Sequence, residues 1–384
     1  MPDPTALIAA WARSAVSPVG GALRNLQPHD IGAPVLQALL QRAQLRPEAI
    51  DAVVIGNALG AGGNPARMLA LAAGLPDRCA ALTVDTQCCS GLDAVAMAVG
   101  LLATGQASVV IAGGIEAWSR APLRHTRPLH AGEVPMAYER PAFAPDPARD
   151  PDLLESAADY AAQHGITREQ QDAYAVLSHQ RALQHQNFLC DEIVAINGLQ
   201  HDAYPRTLSV ERAARMPLAV LREGALDCAV STLAISTRAD GAALVLLATP
   251  KACHDLGLKP RAAWLASTSV GADPCTPLLA AQLAAQTAMQ RVGMHSTADL
   301  HAIELHDAFA VQGLSFCQAL RVDPMAINRR GGGLARGHPI GASGAIALVR
   351  LLADLQHDEA AGARGLAAVA GAGGIGAAVL VTRL

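Results

Sequence analysis

Aromatic and charged residues are scarce in this sequence. Phe, Trp and Tyr make up 3% of its 384 residues, and Asp, Glu, Lys and Arg make up 16%. Apolar residues nevertheless account for 51%, a proportion that excludes intrinsic disorder as the main state. Because glycine (34 residues) and alanine are abundant, we expect a large interior packed from small side chains.

Runs of like charge are also absent. The 29 basic and 33 acidic residues nearly balance, with a net charge of −4, which argues against a nucleic-acid or anionic-membrane partner. Two uncharged stretches, 94–115 and 365–381, are interrupted by polar turn residues or by glycines, so we interpret them as buried elements and not as membrane spans. The first residues, MPDP, lack the basic start and apolar run of a signal peptide. We therefore expect a cytoplasmic protein.

The sequence has no CxxC pair among its eight cysteines. A chain of this length and hydrophobicity does not need disulfide bonds to fold. Zinc-ligand spacing is missing as well, so we expect no metal site. Reduced thiols are the default interpretation, with at least one a candidate for catalysis. The cysteines are Cys79, Cys88, Cys89, Cys190, Cys228, Cys253, Cys275 and Cys317.

Short apolar runs alternate along the chain with longer helical patterns. Near-continuous apolar strands separated by helices predict an α/β fold whose sheets are covered on both faces. The rhythm of strand, small-residue turn and helix occurs in both halves, which suggests an internal duplication. The predicted strands are 50–56, 108–114, 302–305, 366–370 and 377–381.

The middle of the chain has a different composition. Residues from about 122 to 229 contain many of the Pro, His, Arg and Asp residues, which predicts a polar subdomain inserted between two α/β halves. Within it, Thr167 and Gln170 form a capping-box pattern that opens a helix towards Gln186.

A first chemical motif is TVDTQCCSGL at residues 83–92, which leads into an alanine-rich helix near Gly91. At a helix N-terminus the macrodipole and free N–H groups lower the pKa of a cysteine thiol. The same N–H groups can bind a developing oxyanion. The alternative is a pair of buried cysteines, Cys88 and Cys89, that pack as small hydrophobic residues.

Two further motifs contain histidines. The segment GGGLARGHPIGASG (331–344) surrounds His338 with glycines, ahead of a helix predicted from Ala345, and suits a general base. It is not a P-loop, because no lysine follows its last glycine. The segment LHDAFA (305–310) places His306 at the end of a strand, where active-site side chains of α/β sheets collect. The alternative for each is a satisfied core, capping or surface histidine.

Together with three further segments, these motifs resemble the thiolase family, enzymes that make or cleave 3-oxoacyl-CoA thioesters. The resemblance runs nearly end to end, and the order and spacing of the segments make it specific. The further segments are ARSAVSPVGGAL (12–23), GNAL with NPAR (56–59 and 64–67) and GGIEAWSRAP (113–122).

The resemblance implies a duplicated α-β-α-β-α layered sandwich with an inserted loop domain. The expected boundaries are 1–121 and 231–262 for the N-terminal half, 122–230 for the loop domain and 263–384 for the C-terminal half. Substrates would be CoA thioesters, with no resident cofactor. Family members are typically dimers or tetramers, so a homodimer or homotetramer is expected.

The resemblance also assigns site residues. Cys88 matches the acylated nucleophile and His338 the histidine that takes its proton. His306 stands where many thiolases carry an asparagine of the first oxyanion hole, in a variant in which the histidine itself donates to the thioester oxygen. The second oxyanion hole would use the backbone N–H groups of Cys88 and Ala372.

Three further residues match substrate-binding positions of the family. Ala308 and Phe309 correspond to residues that line the pantetheine tunnel, and Ser236 resembles a serine beside the CoA arm. We therefore expect these three residues to contact the CoA portion of the substrate.

Several positions depart from the family pattern. Ala370 stands where the second catalytic cysteine belongs, the residue that moves a proton at the substrate α-carbon. The segment 152–154 (DLL) replaces a frequent His-Met-Gly near the acyl pocket. Other frequent asparagines are replaced by Asp85, Ala234, Ala239 and Arg330.

These observations favour a thiolase-type acyltransferase that forms or cleaves 3-oxoacyl-CoA through an acyl-Cys88 intermediate. The missing cysteine leaves alternatives open. One is a decarboxylative condensing enzyme similar to the ketosynthases, which needs no α-proton base. Another is an acyltransferase of specialised metabolism with a non-CoA acceptor. A third, of a different class, is a catalytically weak acyl-CoA-binding or assembly subunit.

Overall fold

The computed structural model describes residues 4–60 and 62–384, and the predicted α/β class is confirmed. Residues 1–3, used above to argue against a signal peptide, lie outside the described part. The strands are β1 (Leu7–Ser14), β2 (Ser17–Pro18), β3 (Ala52–Gly56), β4 (Ala80–Val84), β5 (Val109–Ala117), β6 (Arg124–His125), β7 (Ala137–Tyr138), β8 (Ile193–Val194), β9 (Leu218–Val220), β10 (Val230–Ser231), β11 (Ala239–Ala248), β12 (Ala262–Gly271), β13 (Ala302–His306), β14 (Arg364–Gly371) and β15 (Ile375–Arg383). The α-helices are α1 (Pro28–Ala43), α2 (Pro65–Ala72), α3 (Ser90–Ala103), α4 (Leu153–His164), α5 (Arg168–Gln184), α6 (Gln186–Leu189), α7 (Val210–Ala213), α8 (Pro250–Leu256), α9 (Ala280–Arg291), α10 (Ala310–Leu320), α11 (Gly333–Arg336) and α12 (Ile340–Asp358).

The two halves of the chain repeat one strand pattern. In the first, β5 pairs parallel with β3 and antiparallel with β11, which pairs antiparallel with β1. In the second, β14 pairs parallel with β13 and antiparallel with β15, which pairs antiparallel with β12. A parallel bridge between Ile303 and Ile327 takes the place that β4 has in the first half. This correspondence supports the duplication read from the sequence.

The strands of the two halves join in one sheet where β1 pairs with β12; its two parts are named the first and the second sheet. Helices α3 and α12 form the middle layer, where their apolar side chains pack with those of both parts. Helices α1 and α2 cover the outer face of the first sheet, and α9 and α10 cover that of the second. Small residues let these layers approach closely, as expected for an interior rich in alanine and glycine. A Cβ atom on Gly91 of α3 would lie 2.8 Å from the backbone nitrogen of Ala345 in α12.

The segment between β5 and β11 carries helices α4 to α7 and two short strand pairs, β6–β7 and β9–β10. The capping box at Thr167 and Gln170 is present at the start of α5. A buried guanidinium connects this segment to the first sheet: Arg13 of β1 donates to Glu192 (2.5 Å) and Asp202 (2.7 Å). The boundaries 122 and 230 of the inserted domain stay a prediction.

None of the helices in the described part of the chain is long and apolar enough to cross a membrane.

Candidate active site

Cys88 lies in the loop between β4 and α3, at the buried edge of the middle layer. Its side chain is 9% exposed, and the next residue, Cys89, is the N-cap of α3. The Sγ atom of Cys88 lies 3.1 Å from Nε2 of His338, across 250 residues of sequence. The fold therefore brings the predicted nucleophile and base into direct contact.

His338 comes from the glycine-rich segment just before α12. That helix begins at Ile340 and not at Ala345 as predicted, so the histidine lies two residues from its first turn. Its backbone N–H donates to the Thr237 carbonyl at 2.7 Å. The preceding Gly337 has φ +106°, in the left-handed region, and a Cβ atom there would lie 3.0 Å from that of Ala239. Glycine therefore permits the sharp turn that delivers the imidazole.

Ser343 determines the tautomer of this imidazole. The Ser343 hydroxyl donates its one proton to the Pro339 carbonyl at 3.0 Å and lies 2.7 Å from Nδ1 of His338. With its proton directed to that carbonyl, the hydroxyl oxygen accepts from Nδ1–H, and we assign the tautomer on this basis. Nε2 is then left unprotonated and faces the Cys88 thiol, which is the arrangement that a general base needs.

Burial is the main influence on the pKa values of Cys88 and His338. It raises the pKa of the Cys88 thiol to about 12, against the opposing hydrogen bonds from the backbone N–H groups of Ala372 and Cys88 itself. Burial also lowers the pKa of His338 to about 4. The expected lowering of the cysteine pKa is therefore wrong, because the desolvation cost of a thiolate here exceeds the favourable effect of these backbone N–H groups. The pair rests as neutral thiol and neutral imidazole.

His306 lies at the end of β13, against the same imidazole. Its ring stacks on that of His338 with 4.3 Å between centroids and 27° between planes. The side chain is 3% exposed, and its Nε2 has no hydrogen-bond partner within the described residues. Burial, and then the neighbouring His338 and Arg336, lower the pKa of His306 well below its ordinary value. A neutral imidazole with a free nitrogen is thus adjacent to the Cys88–His338 pair.

The hairpin between β14 and β15 forms another wall of the site. The Cys89 thiol lies 3.6 Å from the Val369 carbonyl and 3.7 Å from that of Ile375. The hairpin also brings the N–H of Ala372 to the Cys88 sulfur. Ala370 is 8% exposed and offers only a methyl group.

The residues expected near CoA lie beside His306. The Ser236 hydroxyl donates to the Gly333 carbonyl at 2.6 Å, and the Ser236 N–H donates to Ala308 at 2.8 Å. Phe309 is buried and forms a β-bridge with Ile235. These residues therefore connect the strand that carries His306 to the glycine-rich segment, and their contact with substrate stays a prediction.

Sequence reasoning did not assign Glu116, which is fully buried at the end of β5. Its carboxylate accepts hydrogen bonds from Asn57 Nδ2 (2.8 Å), Ala58 N–H (3.0 Å) and Gly341 N–H (3.0 Å). It therefore joins the first sheet to the first turn of α12. The sequence feature that could have identified Glu116 is a single acidic residue inside an otherwise apolar strand. The same signal, a charge between apolar neighbours, marks Glu304 in β13.

Comparison with known proteins identifies the family. The model of the thiolase N-terminal domain matches residues 6–251, and the model of the thiolase C-terminal domain matches residues 258–383. The chain belongs to the thiolase family. The resemblance read from the sequence is confirmed, and so is the layered thiolase-like fold.

Relatives of this thiolase align along its whole length. The acetyl-CoA acetyltransferase of Allochromatium vinosum is 36% identical over 386 residues, covering 97% of both chains. That of Rhizobium meliloti is 33% identical and covers 100% of both. The crystal structure of Bacillus anthracis acetyl-CoA acetyltransferase superposes with a TM-score of 0.88 at 30% identity, covering 99% of both chains. That of a thiolase from Ascaris suum in complex with coenzyme A gives 0.89 at 29%, covering 99% of this chain and 100% of the other.

These relatives settle the class of activity. The chain is an enzyme, an acyltransferase of the thiolase type.

Proposed function

We propose that this thiolase forms or cleaves 3-oxoacyl-CoA through an acyl-Cys88 intermediate. The observation that carries the proposal is the 3.1 Å contact between Cys88 Sγ and Nε2 of His338. His338 takes the thiol proton as sulfur attacks the thioester carbonyl, and then returns it to the departing CoA sulfur. The raised thiol pKa makes this base necessary, because little thiolate exists before substrate arrives.

Backbone donors support the first half-reaction. Hydrogen bonding from the backbone N–H groups of Ala372 and Cys88 lowers the pKa of the Cys88 thiol against the effect of burial, so we assign these two groups to the oxyanion that forms on the acyl carbonyl. One such donor contributes about 3 kcal/mol to the transition state. This oxyanion hole uses only backbone atoms and is therefore compatible with alanine at position 372.

We assign His306 to the second thioester. Its neutral ring has an unpartnered nitrogen next to His338, and a neutral N–H can donate to the enolate oxygen of the acceptor. In the synthetic direction His338, neutral again once CoA has left, takes the α-proton of the acceptor. The α-carbon then attacks the acyl-Cys88 carbonyl, the carbon–carbon bond forms as the carbon–sulfur bond breaks, and the Cys88 thiolate receives that proton from His338. In the degradative direction CoA attacks the acyl-enzyme instead.

Ala370 supports a second candidate, decarboxylative condensation. An alanine cannot accept the α-proton of the acceptor, so deprotonation would depend on His338 or His306. A malonyl thioester avoids this need, because loss of CO₂ leaves the carbanion directly. Both candidates share the acyl-Cys88 step and differ in the acceptor.

Mass spectrometry of the enzyme after incubation with acetyl-CoA tests the shared step. We expect an acetyl group on Cys88, none in Cys88→Ala, and unchanged labelling in the control Cys89→Ala. An unmodified Cys88 peptide would overturn the proposal.

The acceptor distinguishes the two candidate reactions. Condensation with acetyl-CoA as acceptor, at a rate raised by Ala370→Cys, supports the thiolase reaction. Condensation only with malonyl-CoA supports the alternative.

We further propose that CoA thioesters are the substrates, that no resident cofactor takes part, and that the enzyme is a cytoplasmic homodimer or homotetramer. The coenzyme A complex of the Ascaris suum relative supports the first point. The eight free thiols support a reducing compartment. Light scattering on the purified protein measures the oligomeric state.

A further inference from the structure

A buried carboxylate follows His306 directly along the chain. Asp307 is fully buried just after the end of β13, and the acyl-transfer steps described above do not use it. One of its oxygens, Oδ1, accepts hydrogen bonds from the backbone N–H groups of Gly333 and, at 3.4 Å, of Leu334. The carboxylate therefore ties the end of the strand that carries His306 to the start of the short segment that ends in His338.

Segment 333–338 contacts the His306 ring with both of its ends. A Cβ atom on Gly333 would lie 2.7 Å from Nδ1 and Cε1 of His306, so the glycine backbone passes directly against the imidazole. At the other end of the segment, the ring of His338 stacks on that of His306 with 4.3 Å between centroids. The place of Gly333, which Asp307 holds, therefore decides where the His306 ring can lie.

The other oxygen of the carboxylate bonds to Asn328. Oδ2 of Asp307 accepts from Asn328 Nδ2 at 3.2 Å. Asn328 also accepts the Leu305 N–H on its Oδ1 at 2.8 Å and donates its own N–H to the Ile303 carbonyl at 3.0 Å. Its φ of +48° lies in the left-handed region, which asparagine tolerates better than most residues. The Asn328 amide is thus fixed on β13 and orients the carboxylate.

Glycine at position 332 is needed for the contact between the carboxylate and the segment. A Cβ atom there would lie 2.6 Å from Oδ2 of Asp307, which is too close for two non-bonded atoms. The N–H of Gly332 donates to the Ser178 hydroxyl at 2.9 Å, which attaches this part of the chain to α5. Two consecutive glycines, at 332 and 333, therefore leave the room that the carboxylate and the imidazole occupy.

We propose that Asp307 is a positioning residue for His306. Its carboxylate, oriented by Asn328, fixes Gly333 against the imidazole. That contact keeps the His306 ring stacked on the ring of His338. The inference rests on the proposed function for the step that uses this geometry, the donation from His306 to the second thioester.

The two half-reactions should respond differently to loss of the carboxylate. His338 has further anchors of its own, the Thr237 carbonyl and the Ser343 hydroxyl. Its contact with the Cys88 thiol should therefore survive. Because a misplacement of about 1 Å can lower a rate about 100-fold, condensation in Asp307→Ala should fall about 10- to 100-fold, while acylation stays within about three-fold of the wild type.

An exchange of the two side chains tests the contact itself. Asp307→Asn turns an NH₂ group towards the Asn328 amide or towards the Gly333 N–H, whichever way the new amide points. Asn328→Asp brings two carboxylates together. The double variant Asp307→Asn/Asn328→Asp again has one carboxylate and one amide, and every hydrogen bond described above can form. Condensation should fall about ten-fold or more in each single variant and recover to within about three-fold of the wild type in the double variant.

Both rates are measured at about pH 8, where Asp307 is ionised, because burial raises the pKa of its carboxyl to about 6. Quenched-flow mass spectrometry follows the acyl-enzyme, and formation of 3-oxoacyl-CoA follows condensation with the acceptor that the wild type uses. The matched control is Asp172→Asn, which changes a buried carboxylate whose partners are Ser231 and Arg168. That control should lower thermal stability and leave the ratio of the two rates unchanged.

A crystal structure of each variant shows the position of His306 without turnover. We expect the centroid separation of 4.3 Å in the wild type and the double variant, and a displaced His306 ring in Asp307→Ala. An unchanged stack in Asp307→Ala, an equal fall of acylation and condensation in that variant, or no recovery of condensation in the double variant would each overturn the positioning role.

These outcomes are distinct from a failure of the proposed function. Absence of acyl-Cys88 in the wild type would overturn the proposed function alone, because the variant structures still decide what holds His306. If Asp307→Ala does not fold, Asp307→Asn and the double variant decide the inference by the same measurements.

Discussion

Replacing Ser343 by alanine tests how the base is prepared. The Ser343 hydroxyl is the partner of His338 Nδ1 at 2.7 Å and donates to the Pro339 carbonyl at 3.0 Å. Ser343→Ala removes both hydrogen bonds without adding bulk. It leaves Nδ1–H without this partner and allows the tautomer whose Nε2 carries the proton, which cannot accept from Cys88.

The size of the effect follows from the change of charge on His338 during acylation. A hydrogen bond to a neutral group contributes about 1 kcal/mol, and one to a charged group about 1.5–3 kcal/mol. The bond to Ser343 strengthens as His338 becomes an imidazolium, so its loss should raise the barrier by about 1–2 kcal/mol. The acylation rate should then fall about 5- to 30-fold.

Quenched-flow mass spectrometry of acetyl-Cys88 formation measures this rate directly. Ser343→Thr, which retains a hydroxyl, should recover part of it. The matched control is Ser315→Ala, since Ser315 is also buried but bonds to Tyr160 and Gln282, away from the histidines. An acylation rate of Ser343→Ala equal to that of the wild type would refute the reasoning on the tautomer.

Two further predictions concern protonation. Since burial raises the pKa of Cys88 to about 12, its alkylation by iodoacetamide should keep accelerating up to about pH 9.5, and a plateau centred near the ordinary thiol value of about 8.5 would contradict this. Burial also raises the pKa of Glu116 to about 7. The native state then favours the protonated form of the Glu116 carboxyl. The stability contributed by this protonated carboxyl is fully present below about pH 4.5 and is lost as the pH rises through 7. The difference in melting temperature between wild type and Glu116→Gln should therefore shrink from about pH 5 to 8.5, and a constant or growing difference would count against the raised pKa.

The strand and helix pattern was largely accessible from the sequence, because buried strands between helices must be almost wholly apolar. The strand 302–305 is found within β13, and the capping box predicted at Thr167 opens α5 as expected. The start of α12 was predicted five residues late. Proline at its N-cap and glycine in its first turn are poor indicators of a helix, yet here a carboxylate from β5 and close packing against α3 stabilise it.

The sequence by itself determined which residue types were available: one nucleophilic cysteine in a loop ahead of a helix, two histidines at element ends, and an alanine at position 370. Only the tertiary structure decided what these residues are chemically. A thiol at an exposed helix N-terminus has a lowered pKa, but the folded chain buries Cys88 against His338, and burial raises the pKa of its thiol. Likewise Asp307 and Gly333, 26 positions apart in sequence, are hydrogen-bonded only because the end of β13 meets the glycine-rich segment. Desolvation and long-range contacts depend on the folded arrangement of the whole chain, and local sequence does not contain them.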